Sequence, residues 1–289
     1  MKHFLLHTLA AACLVAAAGQ AFATASSSAT MGNLVITLTD LNPTDGITPS
    51  LSSTWQGAAT VFSVVDSWGD IASSNVANRY APGPQGLVSA ETHADWASSS
   101  ASVMAANNAA GFTSMSTIGV AKSGLDAYGY YRGDSANASP LNDFTLSANT
   151  EVTFSVLAST QSKTSMGYNL DADQGEFAYA HAVMNVLGSV NGNFQIDTQE
   201  HISYSNFHVR DDGTTMGASD SWSGQLSVSF FNYGTTTTTG QIQSFVEIEG
   251  QSATWDGVTP VPEPETYAMM LGGLALIGVI GRRRRAAGA

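Results

Sequence analysis

Apolar and polar residues alternate along most of this chain. Leu34, Ile36 and Leu38 alternate with Val35, Thr37 and Thr39, and Val152, Phe154 and Val156 with Thr153 and Ser155. Phe177, Tyr179, His181 and Val183 alternate with Ala178, Ala180 and Ala182, and Leu226, Val228 and Phe230 with Ser227 and Ser229. Ile242, Val246 and Ile248 share a face opposite Gln243, Phe245, Glu247 and Glu249. Side chains two apart point to one side of a strand, so each run predicts a strand with one apolar face. Turn chemistry separates the runs: Asn42-Pro43-Thr44-Asp45-Gly46, Ala81-Pro82-Gly83-Pro84, Asn191-Gly192-Asn193, Asp211-Asp212-Gly213 and Thr235 to Gly240. Asn-Gly between two alternating runs is the strongest hairpin signal. In Glu91 to Gly111 alanines favour helix, while serines and paired asparagines oppose it and favour small-residue strands. No internal repeat is evident. Many short strands with regular turns predict an all-β fold, an antiparallel β-sandwich with jelly-roll-like character.

Both ends depart from this pattern. Lys2 and His3 precede an apolar run from Phe4 to Ala18, and Ala21-Phe22-Ala23 offers the small residues that a signal peptidase reads, predicting a signal peptide over 1–23 cut before Thr24. A lipoprotein reading would acylate Cys13, but the usual bulky residue three positions upstream is missing and the conventional site follows ten residues later. Cys13 is the chain's single cysteine. The mature chain therefore holds no disulfide, no thiolate metal site and no cysteine nucleophile.

At the other end, residues 258–289 begin with a short linker and run through Pro262-Glu263-Pro264 and an apolar stretch over 267–281 to the basic block Arg282, Arg283, Arg284 and Arg285. The prolines fix φ and hinder helix, so the acidic motif should be extended and accessible. Fifteen residues from Tyr267 to Gly281 are fewer than the roughly 17–25 of an ordinary spanning helix. Tyr267 at one interface and snorkelling arginines at the other offset part of that deficit. Four adjacent arginines favour the cytoplasmic side, leaving the motif and the body outside. A buried core helix ending in a charge run is the alternative, and four arginines beside the terminus argue against it.

This segment resembles the PEP-CTERM sorting domain of Gram-negative bacteria over Val261 to Arg285, about a tenth of the chain. The resemblance implies a substrate of exosortase, a membrane transpeptidase-like enzyme that cuts near the motif, with Pro262, Glu263 and Pro264 as recognition residues and Arg282 to Arg285 as the retention block. It also implies a transient inner-membrane anchor and delivery to the cell surface or an exopolysaccharide matrix. It speaks to sorting alone.

Between the two ends, residues 24–257 form the predicted extracytoplasmic domain. Thr24 to Pro260 carries five basic residues (Arg79, Lys122, Arg132, Lys163, Arg210) against twenty-one acids, a net charge of −16. So acidic a body excludes nucleic acid as a partner, because phosphate contacts need lysine and arginine. It also repels acidic polysaccharide and anionic lipid unless divalent cations bridge them. Recurrent aromatic and β-branched residues argue against disorder.

Candidate chemistry in the body is sparse. Asp171, Asp173 and Glu176 place three carboxylates in one turn, an oxygen-rich arrangement that suits calcium. The spacing fails as an EF-hand loop, since the twelfth position is Ala182, and an acidic surface turn is the simpler reading; no other cofactor is indicated. His93, His181, His201 and His208 show no His-x-x-x-His pair on a credible helix, and His181 fits a half-buried, hydrogen-bonded position. There is no Gly-x-Ser-x-Gly elbow and no phosphate loop, so no catalytic residue is assigned. Paired carboxylates for glycoside hydrolysis would come from distant strands and leave no local signature. Trp55, Trp68, Trp96, Trp222 and Trp255 either fill the core, the default for most, or stack on sugar rings from an exposed face.

The expected function is a non-enzymatic structural or adhesive protein of the surface or matrix, a class that the acidic, serine- and threonine-rich surface favours. A carbohydrate-binding module would instead show two or more exposed tryptophans or tyrosines on one sheet face. A secreted hydrolase would show a concave cleft with two facing carboxylates or a Ser/His pair.

Overall fold

The computed structural model describes residues 23–32, 34–53, 59–68, 72–81, 86–105, 112–123, 127–137, 143–165, 168–169, 174–206, 208–209, 215–216 and 218–253. Ala23–Asp256 form one compact unit. The expected signal peptide up to Phe22, the sorting motif, the apolar tail helix and the basic block all lie outside the described residues.

The described strands are β1 (Ala23–Met31), β2 (Val35–Asp40), β3 (Leu51–Ser53), β4 (Ala59–Trp68), β5 (Ser73–Ala81), β6 (Leu87–Ala94), β7 (Ala97–Ala105), β8 (Phe112–Ser123), β9 (Tyr128–Asn137) and β10 (Asp143–Leu146). They continue as β11 (Thr150–Thr164), β12 (Tyr168–Asn169), β13 (Gln174–Gly175), β14 (Phe177–Val190), β15 (Asn193–Asn206), β16 (His208–Val209), β17 (Thr215–Met216), β18 (Ser219–Asn232) and β19 (Thr238–Ala253). Every pairing is antiparallel. A seven-stranded sheet runs β18-β11-β1-β8-β7-β6, with β2 beside β11, and an eight-stranded sheet runs β15-β14-β19-β9-β4-β5, with β10 and β3 attached. The sheets stack so that β18 packs on β15, β11 on β14, β1 on β19, β8 on β9, β7 on β4 and β6 on β5. This is the two-sheet antiparallel sandwich that the alternation predicts.

Asn191-Gly192 joins β14 to β15 with Val190 opposite Asn193. Both turn residues take positive φ, 51° and 81°, as a type I′ hairpin requires. Of the ambiguous segment Glu91 to Gly111, the described residues up to Ala105 are strand, in β6 and β7 with a turn between them, and residues 106–111 lie outside the described residues.

One part of the pattern is inverted. In β14 the alanines Ala178, Ala180 and Ala182 are buried, while Phe177, Tyr179 and His181 look outward from the sheet and are only partly covered. The same small-residue logic places Ala25, Ser27 and Ala29 of β1, and Ala97, Ser99 and Ala101 of β7, in the interior. Small inward residues let the sheets approach closely enough for hydroxyls to bridge them. Thr160 Oγ1 lies 2.7 Å from Ser203 Oγ, Thr164 Oγ1 2.8 Å from Ser205 Oγ, Ser63 Oγ 2.6 Å from Thr92 Oγ1 and Ser123 Oγ 2.9 Å from Ser252 Oγ. Much of the serine and threonine expected at the surface is therefore interior, where each buried hydroxyl needs such a partner. The larger apolar core gathers Phe144, Phe154 and Phe230, with Phe144 meeting the other two at 5.3 and 5.6 Å between ring centroids.

Candidate functional site: the outer face of the eight-stranded sheet

Residues facing away from the core on the eight-stranded sheet line up across strands through its register. Tyr204 (β15) sits opposite Tyr179 (β14), Tyr179 opposite Glu249 (β19), Glu249 opposite Arg132 (β9) and Arg132 opposite Val64 (β4). Neighbouring rows add His181 opposite Glu247 and Glu247 opposite Asp134, then Tyr130 opposite Asp66 and Tyr128 opposite Trp68. Aromatic and charged side chains thus interleave on one surface because they occupy alternate positions of neighbouring strands.

The polar groups on this face are mutually engaged. Arg132 places Nη2 2.8 Å from Glu247 Oε1 and Nε 3.4 Å from Asp134 Oδ2. The Tyr130 hydroxyl donates to Glu249 Oε1 at 3.0 Å, and His181 Nε2 lies 3.0 Å from Glu200 Oε2. His181 also packs edge-on against Phe245, with centroids 5.6 Å apart. Burial pushes the Asp134 carboxyl up to about 6, with Glu247 adding to the rise and Arg132 opposing it. Burial, then Glu247 and Glu200, pushes Tyr179 up to about 12. Burial and then Glu249 likewise raise Tyr130. At neutral pH these phenols are neutral hydrogen-bonding groups.

Four aromatic side chains on this face are widely exposed: Trp68 (66%), Phe194 (66%), Tyr80 (60%) and Tyr204 (51%). Trp222 instead is partly buried against the core and stacks on His201, with centroids 4.3 Å apart and planes 14° from parallel. Trp96 is partly buried in the turn between β6 and β7, and Trp55 and Trp255 lie outside the described residues.

Of the calcium candidates, Asp171 and Asp173 lie outside the described residues. Glu176 is fully buried, and its carboxylate accepts from Ser165 N at 2.9 Å and Ser252 Oγ at 2.8 Å. It ties the ends of β11 and β19 together. Among the described residues no group of three or more His, Cys, Asp or Glu is placed to hold a metal ion. Of the residues named for signal cleavage, Ala21 is outside the described residues, while Ala23 and Thr24 open the central strand β1. There Thr24 N donates to Ser165 Oγ at 2.7 Å.

Residues 260–285 match the family described as the PEP-CTERM protein-sorting motif. The chain carries a PEP-CTERM sorting tail. The PEP-CTERM match covers Pro262, Glu263, Pro264 and Arg282 to Arg285. It makes this an exported protein that transits the membrane, is processed by exosortase and is sorted to the cell exterior. No curated protein matches the chain, so the activity of the PEP-CTERM protein's body rests on its own geometry.

Proposed function

We propose that this is a non-enzymatic adhesive protein of the extracellular matrix of a Gram-negative bacterium, released from a transient membrane helix and holding neutral exopolysaccharide on the outer face of its eight-stranded sheet. The observation that supports this, and that favours the carbohydrate-binding alternative over a purely structural role, is the band of aromatic side chains crossing that face, from Tyr204 and Tyr179 through Tyr130 and Tyr128 to Trp68, with Tyr80 on the far edge. Sugar rings present C–H faces that stack on aromatic planes, and their hydroxyls bond to carboxylates and phenols. A net charge of −16 on the body selects neutral over acidic glycan.

A hydrolase reading finds less support. Asp134 and Glu247 do face each other across β9 and β19, but one arginine holds both of them. An acid–base pair needs one carboxyl proton-bearing and the other free beside a water or sugar.

Affinity electrophoresis of the exported protein through gels of neutral polysaccharide, including the host's own, tests the proposal. Retardation that is lost in Trp68→Ala and Tyr204→Ala variants, with no release of reducing sugar, is the expected result. Unretarded migration in every neutral glycan would refute the adhesive reading, and release of reducing ends would refute the non-enzymatic one.

A further inference from the structure

The sandwich treats its two sides differently. On one side, side chains of the edge strand β15 cap amides of the edge strand β18. Ser227 N donates to Gln199 Oε1 at 2.9 Å, Ser229 N to Asp197 Oδ2 at 2.8 Å and Phe231 N to Gln195 Oε1 at 3.3 Å. Gln195 Nε2 in turn donates to Phe231 O at 3.0 Å, and Tyr204 N donates to Asp220 Oδ2 at 3.2 Å. Every second amide along this stretch of β18 is thereby taken, so no further strand can add there.

On the other side β5 pairs with β4 alone, and among the described residues no side chain caps its free edge. β5 reads Ser73-Ser74-Asn75-Val76-Ala77-Asn78-Arg79-Tyr80-Ala81, nine residues without a proline or an acid and with Arg79 as the single charge. Edge strands are ordinarily blunted by such residues or by covering segments. On the outer face of β5, Val76 and Tyr80 are each 60% exposed. In a body of net charge −16, an acid-free strand is where two copies can approach with least repulsion.

We propose that β5 pairs antiparallel with β5 of a second copy of this chain, about a two-fold axis at Asn78. That register sets Val76 opposite the partner's Tyr80 twice, a β-branched–aromatic pairing of the favourable kind. It also sets Arg79 opposite the partner's Ala77, keeping the two cations apart, and joins the eight-stranded sheets into one. Because the contact is isologous, it closes on itself and assembly through β5 stops at the dimer. The proposal does not rest on glycan binding, although Tyr80 belongs to both surfaces.

The mature chain's lack of cysteine makes the test specific. In the full chain carrying Cys13→Ser, Asn78→Cys would place two sulfur-bearing residues directly opposite, about 4.5–5.5 Å apart at Cα, inside the range that a disulfide spans. Mild oxidation should yield a reducible covalent dimer, whereas Thr198→Cys on the β15 edge should not. Light scattering after size exclusion should show a wild-type dimer. Val76→Lys and Tyr80→Lys, checked for a retained β spectrum, should each weaken the dimer by roughly tenfold or more. A monomeric wild type overturns the proposal. So does a dimer indifferent to both lysines, or an Asn78→Cys protein that crosslinks no faster than Thr198→Cys.

Discussion

The Tyr131 hydroxyl and Ser27 Oγ lie 2.6 Å apart and join β9 of one sheet to β1 of the other through the middle of the sandwich. Tyr131 is fully buried, and its bulk fits only because two neighbours have no side chain. A Cβ at Gly119 would overlap its ring, and one at Gly250 would overlap its hydroxyl end. Two predictions come from this arrangement. Tyr131→Phe should cost about 1 kcal/mol, the worth of one buried hydrogen bond. Gly119→Ala should cost more, roughly 3 kcal/mol, because overpacking in a tight core forces backbone to shift. Urea denaturation of both variants gives the order directly, and an unaffected Gly119→Ala would contradict the packing described.

The β15–β18 caps should be visible in amide exchange. In a Gln195→Ala/Asp197→Ala/Gln199→Ala variant the amides of Ser227, Ser229 and Phe231 lose their acceptors. Their hydrogen exchange should accelerate selectively, while amides of central β1 and β19 stay protected. The newly open edge should also promote association at high concentration.

Asp134 supplies a pH dependence. Its carboxyl, raised to about 6 in the fold, holds a proton more tightly there than in the unfolded chain, where carboxyls titrate near 4. The fold therefore loses stability as pH rises from about 4 to about 6, and ionised Asp134 remains a penalty above that window. Asp134→Asn should melt higher than wild type at pH 7.5 and equally at pH 3.5. Equal melting temperatures at both values would show that Arg132 fully compensates the buried charge.

Asn232 is a buried side chain with its amide fully used. Its Nδ2 donates to Leu146 O (3.3 Å), Ser147 O (2.9 Å) and Thr236 O (2.9 Å), and its Oδ1 accepts from Gly234 N at 2.9 Å. Asn232→Asp keeps the shape but turns a donor toward three carbonyls into an anion. It should destabilise by about 3 kcal/mol or more at neutral pH and less near pH 3, where a protonated carboxyl restores one donor. Thermal melts at the two pH values test this.

Those residues also mark how far the sequence could be read. Period-two runs such as Val152-Phe154-Val156 and Leu226-Val228-Phe230 point to the strands and to their buried faces correctly. Asn191-Gly192 gives its hairpin because only a few residue types tolerate two successive positive φ values. The inward face of the first half of β14 was not legible, since alternation of aromatic with alanine reads as aromatic-in, whereas Ala178, Ala180 and Ala182 are the residues buried there. The outer-face band escaped as well: Tyr204, Glu249 and Arg132 are far apart in sequence and meet only through strand order. Glu176 looked like part of a solvent-exposed acidic turn, and nothing local announces that Ser165 and Ser252 take up its charge. The sorting tail was the reverse case, because its information is contiguous in sequence.

The hydroxyl bridges between the sheets also set how the protein answers temperature. Unfolding a core of long aliphatic side chains raises the heat capacity steeply, whereas exposing buried hydroxyls lowers it. An interior shared between alanine, serine and threonine should therefore unfold with a heat-capacity increment below the usual ~12–15 cal/mol/K per residue. A small increment makes the stability curve shallow on both flanks. The domain then holds nearly the same margin against unfolding in the cold as in the warm, without a crosslink to help it.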